Sequence, residues 1–152
     1  EQSDTLPAPQ PFYLEFEWAS TVNKSVRATT TLLIEAEQRH EWDIVVVNGL
    51  QQSVQPSSEH LLEFNITNTG NFLDDVELIP TLSITTSAND TAVWQPHEPL
   101  SSTMLDVNTS ATLNVLQNIP YAWKDANAKL SYTVISSGYV LDEFDIDLSV
   151  LE

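Results

Sequence analysis

Apolar and polar residues alternate along most of this chain with a period of two, which is typical of β-strands that bury one face. The segment 12–18 places three aromatic rings and a leucine on one side and two glutamates on the other. The segment 143–150 repeats the pattern with Phe, Ile, Leu and Val against Glu, two Asp and Ser. Both segments are predicted to be strands.

Further strand segments are separated by turn residues at intervals near ten residues. Asn48-Gly49 and the run 68–71 favour the left-handed backbone of tight turns. Pro80 cannot donate a ladder hydrogen bond, so its strand is expected to be an edge strand or to be bulged. The predicted strands, besides 12–18 and 143–151, span 26–37, 42–47, 62–67, 76–84, 104–107, 111–116 and 129–136.

No sustained helical period interrupts these strands. Residues 85–102 are predicted to be a long loop or a short irregular edge, and 121–128 to be a helical turn that only connects strands. The sequence therefore predicts an all-β protein, an immunoglobulin-like antiparallel β-sandwich of about eight or nine strands.

The domain organisation follows from the same pattern. Residues 1–11 hold three prolines and no periodicity, which predicts an extended leader, and 12–152 are predicted to form one sandwich domain. Residues 12–40 either add strands to that sandwich or remain from a preceding repeat. Their aromatic rings favour packing on the main sheets.

Composition and charge exclude several partners. The chain has 152 residues with 5 basic and 22 acidic side chains, a formal net charge of −17, so we expect no nucleic-acid partner. Between His40 and Trp123 there is no Lys or Arg. No run of apolar residues is long enough to insert into a membrane. There is no cysteine, so thiols say nothing about the redox compartment.

The string 64–72, Phe-Asn-Ile-Thr-Asn-Thr-Gly-Asn-Phe, resembles the NEW3 and CARDB families of immunoglobulin-like modules. Further similar features lie in order around it. Val54-Gln55-Pro56-Ser57 precedes the string, and it is followed by the pair Asp74-Asp75, Trp94 in the long loop, Ile119-Pro120, and then Ala126 and Tyr132. The resemblance covers roughly 41–152. Ser57 stands where these families usually have Gly.

These families belong to surface and secreted proteins of bacteria and archaea. The resemblance therefore implies an extracellular or cell-surface location and a spacer or docking role. Its partners would be other domains of the same surface protein, like modules, or glycans.

Candidate catalytic and metal-binding residues are few. The sequence contains no nucleophile elbow, phosphate loop or dinucleotide fingerprint, and we expect a non-catalytic protein without a cofactor. The weak metal candidates are Glu143, Asp145 and Asp147, which share one strand face and could attract calcium. Residues two apart on one strand face are widely spaced, so an outer solvated face is the simpler interpretation. His40, His60 and His97 have no metal-ligand spacing and are interpreted as surface histidines.

Aromatic residues supply the alternative function, a carbohydrate-binding module. Trp94 and Trp123 are predicted to lie in loops, with Tyr121 nearby, and could present platforms to sugar rings. Trp18 and Trp42 are expected to be buried. Four sites fit the N-glycosylation pattern, and their acceptors are Asn23, Asn65, Asn89 and Asn108.

Overall fold

The computed structural model describes residues 12–86, 88, 91–94 and 97–152, without the side chains of Val93 and Trp94. The predicted leader 1–11 lies outside the described residues. The chain divides between Arg39 and His40 into two compact units. That residues 12–152 make one sandwich domain stays a prediction.

The first unit is a β-hairpin. Strand β1 (Phe12–Ala19) pairs antiparallel with β2 (Arg27–Ile34), in a register that runs from Phe12 opposite Ile34 to Ala19 opposite Arg27. The amide of Ser20 donates to the carbonyl of Val26 at 2.9 Å and closes the connecting loop. A hairpin has no second layer of its own. Trp18 is 56% exposed, so the prediction that it is buried is wrong.

The described residues of the second unit form nine strands and one turn of 3₁₀-helix. The strands are β3 (Trp42–Val46), β4 (Gln51–Val54), β5 (Ser58–Asn68), β6 (Glu77–Thr85), β7 (Thr91–Trp94), β8 (Leu100–Ser101), β9 (Ser110–Ile119), β10 (Asn127–Ser136) and β11 (Tyr139–Val150). The 3₁₀-helix spans Tyr121–Trp123, within the predicted connector.

These strands form two sheets. The smaller has the order β3-β5-β9, and the larger has the order β4-β11-β10-β6-β7, with β8 also paired to β6. Their inward side chains make one core, to which the smaller sheet contributes Leu62, Phe64 and Ile66, and the larger Leu130 and Ile146. The predicted β-sandwich is confirmed. That its topology is immunoglobulin-like stays a prediction.

One pairing departs from the antiparallel prediction. Strand β4 pairs parallel with β11, with Gln51 opposite Asp147 and Val54 opposite Val150. The chain passes from β3 in the smaller sheet to β4 in the larger through the Asn48-Gly49 turn, where Gly49 has a φ of 81°. Because the chain passes to the larger sheet at this turn, β4 lies beside β11 and runs parallel to it.

The position of Pro80 follows from what pairs around it. Pro80 lies opposite Tyr132 of β10, while on its other side β7 reaches only Leu82 and β8 only Leu78. Its strand is therefore an inner strand at both ends, and the proline occupies the gap between the two outer strands. A residue without an amide hydrogen suits this position, because no described residue pairs with Pro80 on that side.

One other segment differs from the prediction. Residues 104–107 form no strand, and Leu105 makes an isolated bridge to Asp74. Within 85–102 the chain forms the short outer strands β7 and β8, which agrees with the predicted alternative of a short irregular edge, although Trp94 belongs to a strand rather than a loop. Across the described chain, no helix is long and apolar enough to span a membrane.

Candidate functional site

An open groove of about 690 Å³ lies in the second unit, where the two sheets part. Strand β3 contributes Trp42, Ile44 and Val46 to its lining. Val134 of β10 and Leu141 and Phe144 of β11 line it from the larger sheet. All six side chains are apolar or aromatic. Val46 and Val134 are buried, and the other four are half-buried. Trp42 is half-buried, which differs from the prediction of a buried ring.

Acidic residues surround this apolar lining. Glu41, Asp43 and Asp142 contribute to the groove, and each is exposed. None of the described lining residues is Lys or Arg. Carboxylates around a low-dielectric wall focus a negative potential into the groove, which attracts cations and repels acidic ligands.

Along the groove, the edge of β11 that faces away from β10 pairs with no other strand of the described residues. The amide of Asp147 donates to Leu50 at 2.8 Å on the β4 side, and the amide of Val150 donates to Ala126 on the opposite side. Backbone groups alternate along a strand, so those of Asp145 and Glu143 point to the same side as Asp147. Strand β4 pairs with β11 only as far as Asp147, and no other strand in the described part of the chain pairs with the edge beyond it.

Strand β3 presents a second edge with no neighbouring strand among the described residues. The amide of Val47 donates to Glu63 at 2.9 Å, and the ladder to β5 includes Asp43 and Val45 in the same alternation. The backbone groups of Trp42 and Ile44 therefore face away from β5. Two strand edges from different sheets flank one apolar groove.

At one end of the groove, His40 belongs to a buried polar cluster. Ser136 donates to Asp74 Oδ2 at 2.5 Å, His40 Nδ1 lies 3.0 Å from the same oxygen, and the indole of Trp42 donates to it at 3.4 Å. The amide of Asp75 donates to Asp74 Oδ1 at 2.9 Å. Burial acts to raise the pKa of Asp74, but these hydrogen bonds outweigh it and hold the pKa below its usual value.

This cluster links the two sheets through hydrogen bonds. Ser136 belongs to β10, His40 precedes β3, and the Asp74 carboxylate accepts hydrogen bonds from both. The Ser136 hydroxyl donates to the carboxylate rather than to the imidazole, and its side chain is 1% exposed. A nucleophile would need the histidine as its proton acceptor and access to a substrate.

His97 makes a second set of hydrogen bonds that link the two sheets. Its Nδ1 lies 2.9 Å from Gln117 Oε1 of β9, and its Nε2 lies 2.7 Å from the hydroxyl of Tyr132 of β10. Burial lowers the pKa of His97, against an opposing effect of the bond to Gln117. Burial also raises the pKa of Tyr132. The imidazole is therefore neutral, donating to Gln117 and accepting from Tyr132.

His60 makes the third hydrogen-bonded link between the sheets, from β5 to β4. Its Nε2 contacts Gln52 Oε1 of β4, while Gln52 donates its amide to the carbonyl of Gly49 at 2.8 Å. Burial lowers the pKa of His60. All three histidines are half-buried and hydrogen-bonded, so their interpretation as surface residues is wrong. Sequence spacing could not reveal these hydrogen bonds, because each histidine and its partners are separated by 8 to 96 residues along the chain.

The two predicted sugar-binding residues with described side chains differ in exposure. Trp123 is only 3% exposed and belongs to the core, because the 3₁₀-helix turns its ring inward. The prediction of an exposed contact at Trp123 is therefore wrong. Tyr121, two residues earlier, is 66% exposed. The side chain of Trp94 lies outside the described part of the structure.

The three carboxylates of β11 lie on the outer face, as predicted. Glu143, Asp145 and Asp147 are exposed. Asp145 accepts from Ser131 at 2.7 Å and lies 3.4 Å from Lys129 Nζ. The bond from Ser131, together with Lys129, lowers the pKa of Asp145 despite the opposing effect of burial. Within the described ranges, no three acidic or histidine side chains gather as a metal site.

The glycosylation sites occupy different settings. Asn65 is exposed on β5, as its place in the alternation predicts, and accepts from Thr112 at 3.0 Å. Asn23 lies in the hairpin loop and accepts from the amide of Ser25, and Asn108 has a φ of 59° in an exposed turn. Asn89 lies outside the described residues. Glycosylation stays a prediction.

The chain matches no protein-family model and no curated protein sequence. One similar solved structure is the Pseudomonas fluorescens alkylpurine DNA glycosylase AlkC bound to DNA containing an abasic site analog, at 14% identity and a TM-score of 0.44. That alignment covers 72% of this chain and 31% of the glycosylase chain. Another is a DUF4466 family protein from Parabacteroides merdae, at 15% identity and a TM-score of 0.37, with 69% and 42% covered. This chain thus spans less than half the length of either, and these weak similarities assign no family.

Proposed function

We propose that this chain is a non-catalytic, immunoglobulin-like interaction module of an extracellular or cell-surface protein, and that it acts as a docking unit for another protein. The observation that carries the proposal is the groove between the free edges of β3 and β11. Its apolar lining and unpaired backbone groups suit a protein segment better than a small polar substrate.

The polar side chains of the sandwich support the same function. His40, His60 and His97 all make hydrogen bonds that join the two sheets, which is a stabilising role. The net charge of −17 keeps such a module soluble and opposes association between its copies.

Photo-crosslinking in the cells that make the protein tests this function. A photoreactive residue replaces Val45, which is 50% exposed and lines the groove. The matched control replaces Leu116, which is 56% exposed on β9 of the same sheet and does not line the groove. We expect a discrete protein adduct from position 45 only, and loss of the chain when intact cells are treated with protease. Equal adducts from both positions, or protection of the chain inside intact cells, would contradict the proposal.

A further inference from the structure

We infer that the groove binds an extended, cationic segment of a partner protein, which pairs as an added β-strand with the free edge of β11. This inference rests on the proposed function and names the chemistry of its partner. The added strand would continue the line of β4, which already occupies the same edge from Asp147 onward.

The backbone of β11 supplies the pairing groups. Asp145 directs its amide and carbonyl toward the groove side, as does Glu143. The Glu143 amide donates to the carboxylate of the preceding residue, with Asp142 Oδ1 at 2.8 Å, and to no strand of the described residues. This exposed side chain occupies the position that a partner carbonyl would take. Swinging it away would open the edge at small cost because its carboxylate returns to water.

The apolar lining of the groove favours a partner segment with an apolar residue at every second position. Side chains on one face of an added strand would meet the groove lining, including Ile44, Leu141 and Phe144. The other side chains of that strand would point outward. A segment with apolar residues at every second position therefore fits, and its affinity comes from the ladder and the buried apolar face together.

The charge selects the partner and disfavours a second copy of this chain. Asp43 and Asp142 lie at the groove, and its described lining residues include no Lys or Arg. Strand β1 of another copy has a suitable alternation, but it carries Glu15 and Glu17 between its apolar residues. Like charges would meet at the groove, so lysines or arginines at the outward positions are favoured.

The probe is a hexapeptide of alternating valine and lysine, titrated into the ¹⁵N-labelled full chain. We expect amide shifts at Asp145 and Glu143 and at β3, with saturation. The same peptide with glutamate for lysine should bind at least about tenfold more weakly. N-methylation of alternate peptide amides on one edge should also weaken binding at least about tenfold, because it removes the ladder donors.

Matched variants separate the charge of the groove from the charge of the whole chain. The double variant Asp43→Asn/Asp142→Asn keeps the side-chain shapes and should weaken binding of the cationic peptide several-fold. The control Glu59→Gln/Glu98→Gln removes the same charge from exposed residues outside the lining and should change binding less than twofold. Sedimentation at the same protein concentrations reports self-association.

Each other outcome overturns the inference. Equal binding of the methylated peptide shows charge adsorption without strand pairing. Shifts confined to residues outside the groove place the binding elsewhere, and a dimer that protects the groove names a second copy as its occupant. Absence of peptide binding, with a groove-specific adduct at position 45, rejects strand addition while the docking function stands.

Discussion

The hydroxyl of Tyr132 lies 2.7 Å from Nε2 of His97 and joins the middle of β10 to the connection between β7 and β8. Through its other nitrogen, the same imidazole reaches Gln117 on β9 at 2.9 Å. One side chain thus spans both sheets of the sandwich. Because this bridge requires a neutral imidazole, the stability of the fold depends on pH.

Acidification should destabilise the sandwich through His97 and His60. Burial lowers the pKa of both in the folded state, so the unfolded chain takes up their protons first. The stability that they contribute is complete above the unfolded value of about 6.5 and is lost as pH falls through it toward the folded values. We expect the double variant His97→Gln/His60→Gln to lose less Tm than the wild type between pH 7.5 and 5. Identical pH slopes in thermal melts would contradict this.

Removal of one hydroxyl should isolate the energy of the bridge. Tyr132→Phe keeps the ring between Phe64 and Phe144, whose centroids lie 5.0 and 5.5 Å away, and leaves His97 Nε2 without its donor. We expect a loss of about 1–2 kcal/mol in the free energy of unfolding. Tyr132→Ala should cost about 3–5 kcal/mol, because the ring is fully buried. Urea unfolding measures both, and equal losses would show that the hydroxyl carries the whole effect.

The Asp74 cluster should set the acid limit of the fold. Ser136→Ala removes a buried donor to the carboxylate and should cost about 1–3 kcal/mol at pH 7. The low folded pKa of Asp74 gives stability that is present above its unfolded value and lost as pH falls through the folded one. Without Ser136 that pKa rises, so acid unfolding should begin at a higher pH.

Ser131→Ala is the matched control, because it removes a donor from the exposed carboxylate of Asp145. It should change stability by less than about 0.5 kcal/mol. Circular dichroism between pH 2 and 7 compares the two variants. A larger effect at Ser131 than at Ser136 would refute the assignment.

The 3₁₀-helix offers a test of buried against exposed aromatic rings. Trp123→Ala should cost about 3–5 kcal/mol, because the ring fills the core. Tyr121→Ala should change stability by less than about 0.5 kcal/mol, because that ring is largely exposed. Urea midpoints measure both. A Trp123→Ala variant as stable as Tyr121→Ala would place the tryptophan on the surface.

Local pattern predicted the elements well. Residues 12–18 and 143–151 became β1 and β11, and the connector at 121–128 contains the 3₁₀-helix. The alternation also placed Asn65 outward and the carboxylates of β11 on the outer face. These features depend on neighbours two residues apart, and such spacing can be read directly from the chain.

The candidate site was not predictable in this way. The groove exists because β4 stops pairing at Asp147 while β11 continues to Tyr139, and because β3 remains in the other sheet. The hydrogen bonds of His40 and His97 that link the sheets join residues that are distant along the chain. The parallel pairing of β4 with β11 also joins distant segments. The burial of Trp123 also depends on distant residues, because the core that surrounds its ring is formed by strands from other parts of the chain.

The sequence by itself therefore determined the strands, their turns and an acidic all-β sandwich. Only the tertiary structure decided which strands are neighbours, where the sheets leave an edge open and which polar groups meet. The physical reason is that side-chain alternation is a property of consecutive residues, whereas strand order and register are chosen by burial and pairing across the whole chain.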